Sequence, residues 1–149
     1  MNVSPEGVAK IREHEGCVLS VYNDQAGLPT IGVGHLIVPG ESYPGGKITQ
    51  EQADELLAKD LRRTVDGVVA CLEVVVSQAQ FDSLTSFAFN VGVGALRKSS
   101  FLAAVNGRLP HEEIRARLMR WNKVTINGRK EASPGLTKRR AEEGLAWPG

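Results

Sequence analysis

Cysteine is nearly missing from these 149 residues: only Cys17 and Cys71 occur, too few for a disulfide framework and without the spacing of a zinc site. Both are expected to be reduced, structural thiols. A run of about 18 apolar residues able to cross a membrane is also absent. The start, Met1-Asn2-Val3-Ser4-Pro5, has neither the basic residues nor the apolar stretch of a signal peptide, so the chain is expected to remain in the cytoplasm where it is made. No repeat or low-complexity tract is present, and 42% hydrophobic content at this length suits one domain, 1–149, with a core of its own. His14-Glu15 is followed by Gly-Cys-Val rather than by a second histidine at metal-ligand spacing, and His35 and His111 stand far off. Neither a metal nor a cofactor is expected.

Excess charge is lacking as well, with 18 Lys and Arg against 17 Asp and Glu. That balance conceals an asymmetry. Residues 1–94 hold 6 basic and 12 acidic side chains, whereas residues 95–149 hold 12 and 5. A basic C-terminal portion fits a polyanionic target, cell envelope or nucleic acid, and equally fits a solvated surface. Arg115, Arg117, Arg120, Lys138, Arg139 and Arg140 are the cations that would reach phosphates, but no aromatic residues interleave them, and nucleic acid is not the expected partner.

What the chain does contain begins with Ser4-Pro5, a helix cap followed by the one residue favoured at the first helical position. Gly16 is a fitting stop, which places Glu15 at the end of a short helix. Val18 to Asp24 and Thr30 to Val38 are rich in β-branched and aromatic residues, and Gln25 to Pro29 between them reads as a turn. Such a hairpin sets Asp24 and Thr30 opposite each other, near enough to hold one water. Alternation places Thr30, Gly32, Gly34 and Leu36 on one face of the second strand, and Ile31, Val33, His35 and Ile37 on the other.

Thr49 to Gln52 forms a capping box ahead of a long helix over 49–72, whose apolar stripe runs from Ala53 to Leu72. Asp60 falls inside the stripe and needs a partner there, because an unpaired buried charge is costly. His35, on the apolar face of the hairpin, has the complementary need, and the two are expected to form a structural ion pair. From the second capping box, Ser77 to Gln80, the pattern is helical almost to the end, interrupted by Asn127-Gly128 as a tight turn. The expected fold is α+β: a small N-terminal lobe with a β-hairpin or short antiparallel sheet, a long connecting helix and a helical C-terminal lobe.

Two carboxylates and a hydroxyl, Glu15, Asp24 and Thr30, are the groups that glycosidic cleavage requires: an acid for the leaving oxygen, and a base or nucleophile at the sugar carbon. A cysteine hydrolase built on Cys17 would need an oriented base, and His14 has no evident carboxylate to orient it. The segment Glu15 … Asp24 … Thr30-Ile31-Gly32-Val33-Gly34-His35 resembles the active-site region of phage-type lysozymes, the endolysins of glycoside hydrolase family 24. The likeness extends to Phe87-Ala88-Phe89-Asn90-Val91-Gly92, to Arg120-Trp121, and to Pro134-Gly135-Leu136 with Arg139-Arg140.

That resemblance implies a lysozyme-like domain with lobes of about 12–60 and 1–11 plus 70–149, joined by helix 49–72. It implies hydrolysis of the β-1,4 bond between N-acetylmuramic acid and N-acetylglucosamine in peptidoglycan. Glu15 would be the general acid, protonated in a partly desolvated cleft, with Asp24 and Thr30 positioning water or stabilising the oxocarbenium-like centre. Leu36, Phe89 and Ser99 or Ser100 match positions that line the family's cleft, and Asp60 falls where the family carries the partner of His35. Arg115 stands where the family has an asparagine contact. A monomer acting on peptidoglycan glycan strands is implied, released from the host cytoplasm by a separate pore-forming membrane protein. A lytic transglycosylase or an inactive peptidoglycan-binding relative are the alternatives; Asp24 with Thr30 favours hydrolysis over both.

Overall fold

Ser4 accepts the backbone N–H of Gly7 and starts helix α1, Pro5–Glu15, which ends where Gly16 takes a positive φ of 72°. A computed structural model describes all 149 residues, Met1–Gly149. The chain continues into β1 (Val18–Asn23), β2 (Pro29–Gly32) and β3 (His35–Leu36), a three-stranded antiparallel sheet in the order β1-β2-β3. The single strand expected over Thr30 to Val38 is therefore broken in two. Gly32 and Gly34, at φ 68° and 67°, let the backbone reverse at Val33-Gly34. Because the reversal takes two residues, Thr30 pairs with Leu36 and Ile31 with His35, so the expected division of those four between two faces survives the break.

Helix α2, Gln50–Cys71, opens on the capping box of Thr49 and Gln52 and runs 22 residues, about 33 Å at 1.5 Å per residue. Its inward stripe meets three separate apolar clusters. Ala53 packs with Ile31 and Ile48, Leu57 and Leu61 pack with Ile11 and Val33, and Val65 and Val68 join the main core of 15 buried residues. The helix thereby ties the sheet to everything that follows.

That main core is completed by α3 (Gln78–Val91), α4 (Val93–Lys98), α5 (Ser100–Asn106) and α6 (His111–Met119), and by Trp147, which follows the last helix, α7 (Pro134–Gly144). Phe87 is its aromatic centre, with edge-on contacts to Phe101 at 5.1 Å and Trp121 at 5.3 Å between ring centroids. Between α6 and α7 stands an element that the helical pattern did not foretell. Strands β4 (Lys123–Ile126) and β5 (Arg129–Ala132) form a two-stranded hairpin closed by Asn127 and Gly128, at φ 51° and 77°. Both central residues at positive φ fit the two-residue turn that Asn-Gly favours.

Candidate active site

Glu15 is the last residue of α1, and its side chain is 19% exposed. Its two oxygens have different neighbours. Oε2 is ion-paired with the guanidinium of Arg139 on α7, whereas Oε1 faces the Val33-Gly34 turn so closely that a Cβ added at Gly34 would lie 3.1 Å from it. Glycine is thus required at 34 twice over, by its φ and by the carboxylate beside it.

Arg139 is 4% exposed and belongs to a buried charge network. Its Nη2 donates to the Ser86 carbonyl at 3.1 Å, and its Nε lies 3.4 Å from Glu143 Oε2, which also accepts the Ser86 hydroxyl at 2.6 Å. The other oxygen of Glu143 pairs with Arg140. Arg140, 1% exposed, donates from Nε to the Trp121 carbonyl at 2.8 Å, pairs with the Asn90 side chain, and lies 4.9 Å from the Phe87 ring centroid. Two guanidiniums and two carboxylates compensate each other with little help from water. Of the six cations weighed as phosphate contacts in the sequence, Arg139 and Arg140 are buried, the first paired with Glu15 and the second joined to it through Glu143.

Asp24 follows the last residue of β1 and anchors the turn beyond it. Its Oδ1 accepts the N–H groups of Ala26 and Leu28, each at 2.9 Å, an arrangement that short polar side chains favour in turns. Oδ2 has no protein partner and is free to face a ligand. The expected opposition of Asp24 and Thr30 is corrected by the register: Tyr22 stands across from Thr30, and Asn23 across from Pro29. The turn takes up Asp24, leaving it outside the ladder. Thr30 is 2% exposed and its hydroxyl donates to the Leu28 carbonyl at 2.9 Å, so only its oxygen lone pairs can serve a water.

Tyr22 completes the group. Burial and then the neighbouring charges of Glu15, Asp24 and Cys17 push its hydroxyl above the ordinary range, keeping it a hydrogen-bond donor. Cys17 is exposed rather than buried, with its sulfur 3.8 Å from the Gln50 side-chain amide nitrogen. Neither cysteine is bonded to the other.

The remaining expected residues divide. Leu36 is 47% exposed on β3, and Phe89 is half-buried against the Ile11, Val33, Leu57 and Leu61 cluster. Ser99 is buried, and its hydroxyl caps α5 by accepting from Leu102 and donating to Leu96; Ser100 is the exposed one. His35 Nδ1 lies 2.7 Å from Asp60 Oδ2, and its other nitrogen lies 2.9 Å from Glu41 Oε2. Burial opposes a charged ring there, but the two carboxylates outweigh it and raise the histidine pKa. Glu41, which accepts the Val38 N–H and the Tyr43 hydroxyl besides, falls to about 2 against the opposing effect of burial. Arg115 reaches the Trp147 carbonyl and is spent on the C-terminal end.

Sequence reasoning missed Tyr22, Arg139, Glu143 and Glu41. Arg139 is 124 residues from Glu15, and only the fold brings them together. Tyr22 was legible in principle, two residues before Asp24 on the same predicted strand.

The sequence profile of the phage lysozyme family matches residues 12–143. An endolysin of Acyrthosiphon pisum secondary endosymbiont phage 1 is 34% identical over 143 residues, with 96% of this chain and 95% of that protein covered. An endolysin of Bacillus phage PZA is 41% identical over 96% of this chain, which spans 54% of that longer protein. Among solved structures, an endolysin from Escherichia coli O157:H7 phage FAHEc1 superposes with a TM-score of 0.89 at 36% identity, covering 99% of this chain and 94% of that one. The muramidase domain of SpmX from Asticaccaulis excentricus gives 0.87 at 31% identity, covering 99% and 98%. With the profile spanning Glu15 to Glu143 and so the whole of the site just described, the chain belongs to the phage lysozyme family.

Proposed function

We propose that this lysozyme hydrolyses the β-1,4 bond between N-acetylmuramic acid and N-acetylglucosamine in bacterial peptidoglycan, with Glu15 as proton donor. The observation that carries the reading is the division of labour between the two oxygens of Glu15. Arg139 fixes Oε2, so the carboxyl group is held in one orientation, and Oε1 beside the side-chain-free Gly34 is the oxygen that can present a proton to a glycosidic oxygen. Asp24 supplies the second carboxylate, with Oδ1 committed to the turn and Oδ2 free to direct water or to stabilise positive charge at the sugar carbon. Thr30 offers its lone pairs to the same water, and the Tyr22 hydroxyl is a donor at the same place.

On this reading residues 12–60 form one wall of the substrate cleft and residues 1–11 plus 70–149 the other, with helix 49–72 between them. Leu36, Phe89 and Ser100 lie along it as sugar contacts, and His35 with Asp60 serves the fold rather than the chemistry. The chain acts as a monomer and needs neither metal nor cofactor. No helix is long and apolar enough to cross a membrane. We propose that the protein accumulates in the host cytoplasm and that a separate pore-forming membrane protein gives it access to the wall, so that cleavage lyses the host. The mass spectrum of muropeptides released by the purified protein tests the reading: hydrolysis leaves reducing N-acetylmuramic acid ends, while a transglycosylase leaves anhydro ends and a binding-only relative releases nothing.

A further inference from the structure

Arg139 both orients the carboxyl group of Glu15 and opposes its task. A guanidinium beside a carboxyl group favours the ionised form, whereas a general acid must hold its proton until the leaving oxygen takes it. The buried network contains two guanidiniums, Arg139 and Arg140, and two carboxyl groups, Glu15 and Glu143. With Glu143 ionised, protonating Glu15 leaves one positive charge uncompensated there. Without the carboxylate of Glu143 it would leave two, and burial makes each uncompensated charge costly.

The hydrogen bonds show how Glu143 bears on Arg139. Nη1 of Arg139 is taken by Glu15 on α1 and Nη2 by the Ser86 carbonyl on α3, so the guanidinium is held in place from two helices. Its Nε is buried and has no hydrogen-bond acceptor. Oε2 of Glu143 lies 3.4 Å from that nitrogen but accepts the Ser86 hydroxyl, and Oε1 goes to Arg140. Glu143 therefore gives Arg139 charge without a hydrogen bond, which is compensation rather than anchorage.

Other charged groups face this region without joining it. A cavity of about 440 Å³ with Glu143 and Ser86 in its wall brings in Glu6, Lys10 and His14 of α1, Asp82 of α3 and Glu142 of α7. His14 lies 2.9 Å from Glu142, and Asp82 accepts the Ser4 N–H and hydroxyl. From α6, Arg115 lies against Gly144 with its guanidinium at the Trp147 carbonyl. On the sheet side, Tyr22, Asp24 and Cys17 are the titratable neighbours of Glu15. None of these is ion-paired with Glu15 or Glu143.

We infer that Glu143 is a positioning residue of the reaction, acting through Arg139: it offsets the guanidinium's charge, so that Arg139 orients the Glu15 carboxyl group without stripping its proton. The inference rests on the reading of Glu15 as proton donor.

The pH profile of kcat/KM on soluble peptidoglycan fragments tests it, because the alkaline limb reports the acid of the free enzyme. A role confined to the fold would lower the rate at every pH, whereas loss of a countercharge moves the limb. Glu143→Gln keeps the size and an oxygen for Arg140 but not the charge, and its limb should move down by about one pH unit or more, the low end of what one nearby charge does to a carboxyl group. Glu143→Asp keeps the charge but draws it back from Arg139, and should move the limb the same way by less. It carries the test at any temperature where circular dichroism shows Glu143→Gln unfolded. NMR titration of the Glu15 carboxyl carbon, assigned by its absence in Glu15→Gln, gives the same reading without turnover, and its midpoint should move with the limb. A limb or midpoint that stays in place or moves upward in these variants would overturn the inference and leave Glu143 a support of the fold alone. Undiminished cleavage by Glu15→Gln would instead overturn the reading of Glu15 as the acid, a result distinct from an inactive Glu15→Gln with an unmoved limb.

Discussion

In the proposed mechanism Glu15 gives one oxygen to the fold and one to the reaction, and each half of that division can be removed separately. Glu15→Gln keeps the shape and an oxygen that Arg139 can bond, but it has no acidic proton. Cleavage should fall by about 10²–10⁴-fold, the usual worth of a general acid, while circular dichroism shows a folded chain. Gly34→Ala leaves the acid in place and puts a methyl group 3.1 Å from Oε1 at a φ of 67°. The backbone strain should cost about 1–2 kcal/mol, and kcat/KM should drop roughly 10²-fold, the scale of a misplaced reacting group. Wild-type kcat/KM in Gly34→Ala would show that Oε1 is not the working oxygen. The triplet Glu15, Asp24 and Thr30 was legible because all three fall within 16 consecutive residues, on a helix end and a turn that local rules identify. Their mutual geometry was not. Asp24 accepts two turn amides rather than joining the ladder, and that choice moved Tyr22 into the place opposite Thr30.

At the scale of elements, two polar clusters fasten pieces of backbone that apolar packing alone leaves loose. His35 binds β3 to α2 through Asp60 and to the following loop through Glu41, which Tyr43 also holds. Its pKa is raised in the folded protein, so its contribution is complete below the unfolded value of about 6.5 and fades as pH rises through the folded value. Glu41 has the opposite sign: its contribution is complete above the unfolded value of about 4.5 and is lost as pH falls toward about 2. The cluster should therefore stabilise most between about pH 4.5 and 6.5. Thermal melts of wild type and His35→Asn across pH 3 to 9 check this, with the Tm difference expected to peak inside that window and to shrink on both sides. A difference flat with pH would remove the charge from the explanation. The second cluster ties α7 to α3 through Glu143, which stands between two buried arginines. Glu143→Gln leaves Arg140 uncompensated and should cost about 3–5 kcal/mol in urea unfolding. The His35–Asp60 contact could be anticipated because each residue broke an apolar stripe. The Glu143 network could not, since in sequence its arginines look like any basic helix face. The β4–β5 hairpin was half legible: Asn127-Gly128 announced the turn, but strands of four residues, the second of them Arg-Lys-Glu-Ala, carry too little apolar alternation to be read.

For the whole molecule, the uneven division of the core has consequences for stability and for mechanism. Fifteen buried residues hold the helices together, whereas the sheet side relies on clusters of four and three that share α2. Native-state hydrogen exchange should find the β2 and β3 amides opening at lower free energy than those of α3 and α5, because local stability follows buried apolar contact. Exchange of both sets through one global unfolding would contradict that division. The fold class was legible in outline, since the capping boxes and the long stripe of α2 fixed a connecting helix with elements on either side. Where the charge went was not, because the basic excess divides between a buried support of the acid and an exposed hairpin, and only packing separates the two. The central claim is that Glu15 protonates a glycosidic bond of peptidoglycan, with Asp24 making the reaction a hydrolysis. Muropeptide mass spectrometry after digestion of sacculi by wild type and Glu15→Gln tests it most directly. Disaccharide products with reducing N-acetylmuramic acid ends from wild type, and none from Glu15→Gln, are predicted; anhydro ends, or undiminished release by Glu15→Gln, would contradict the account.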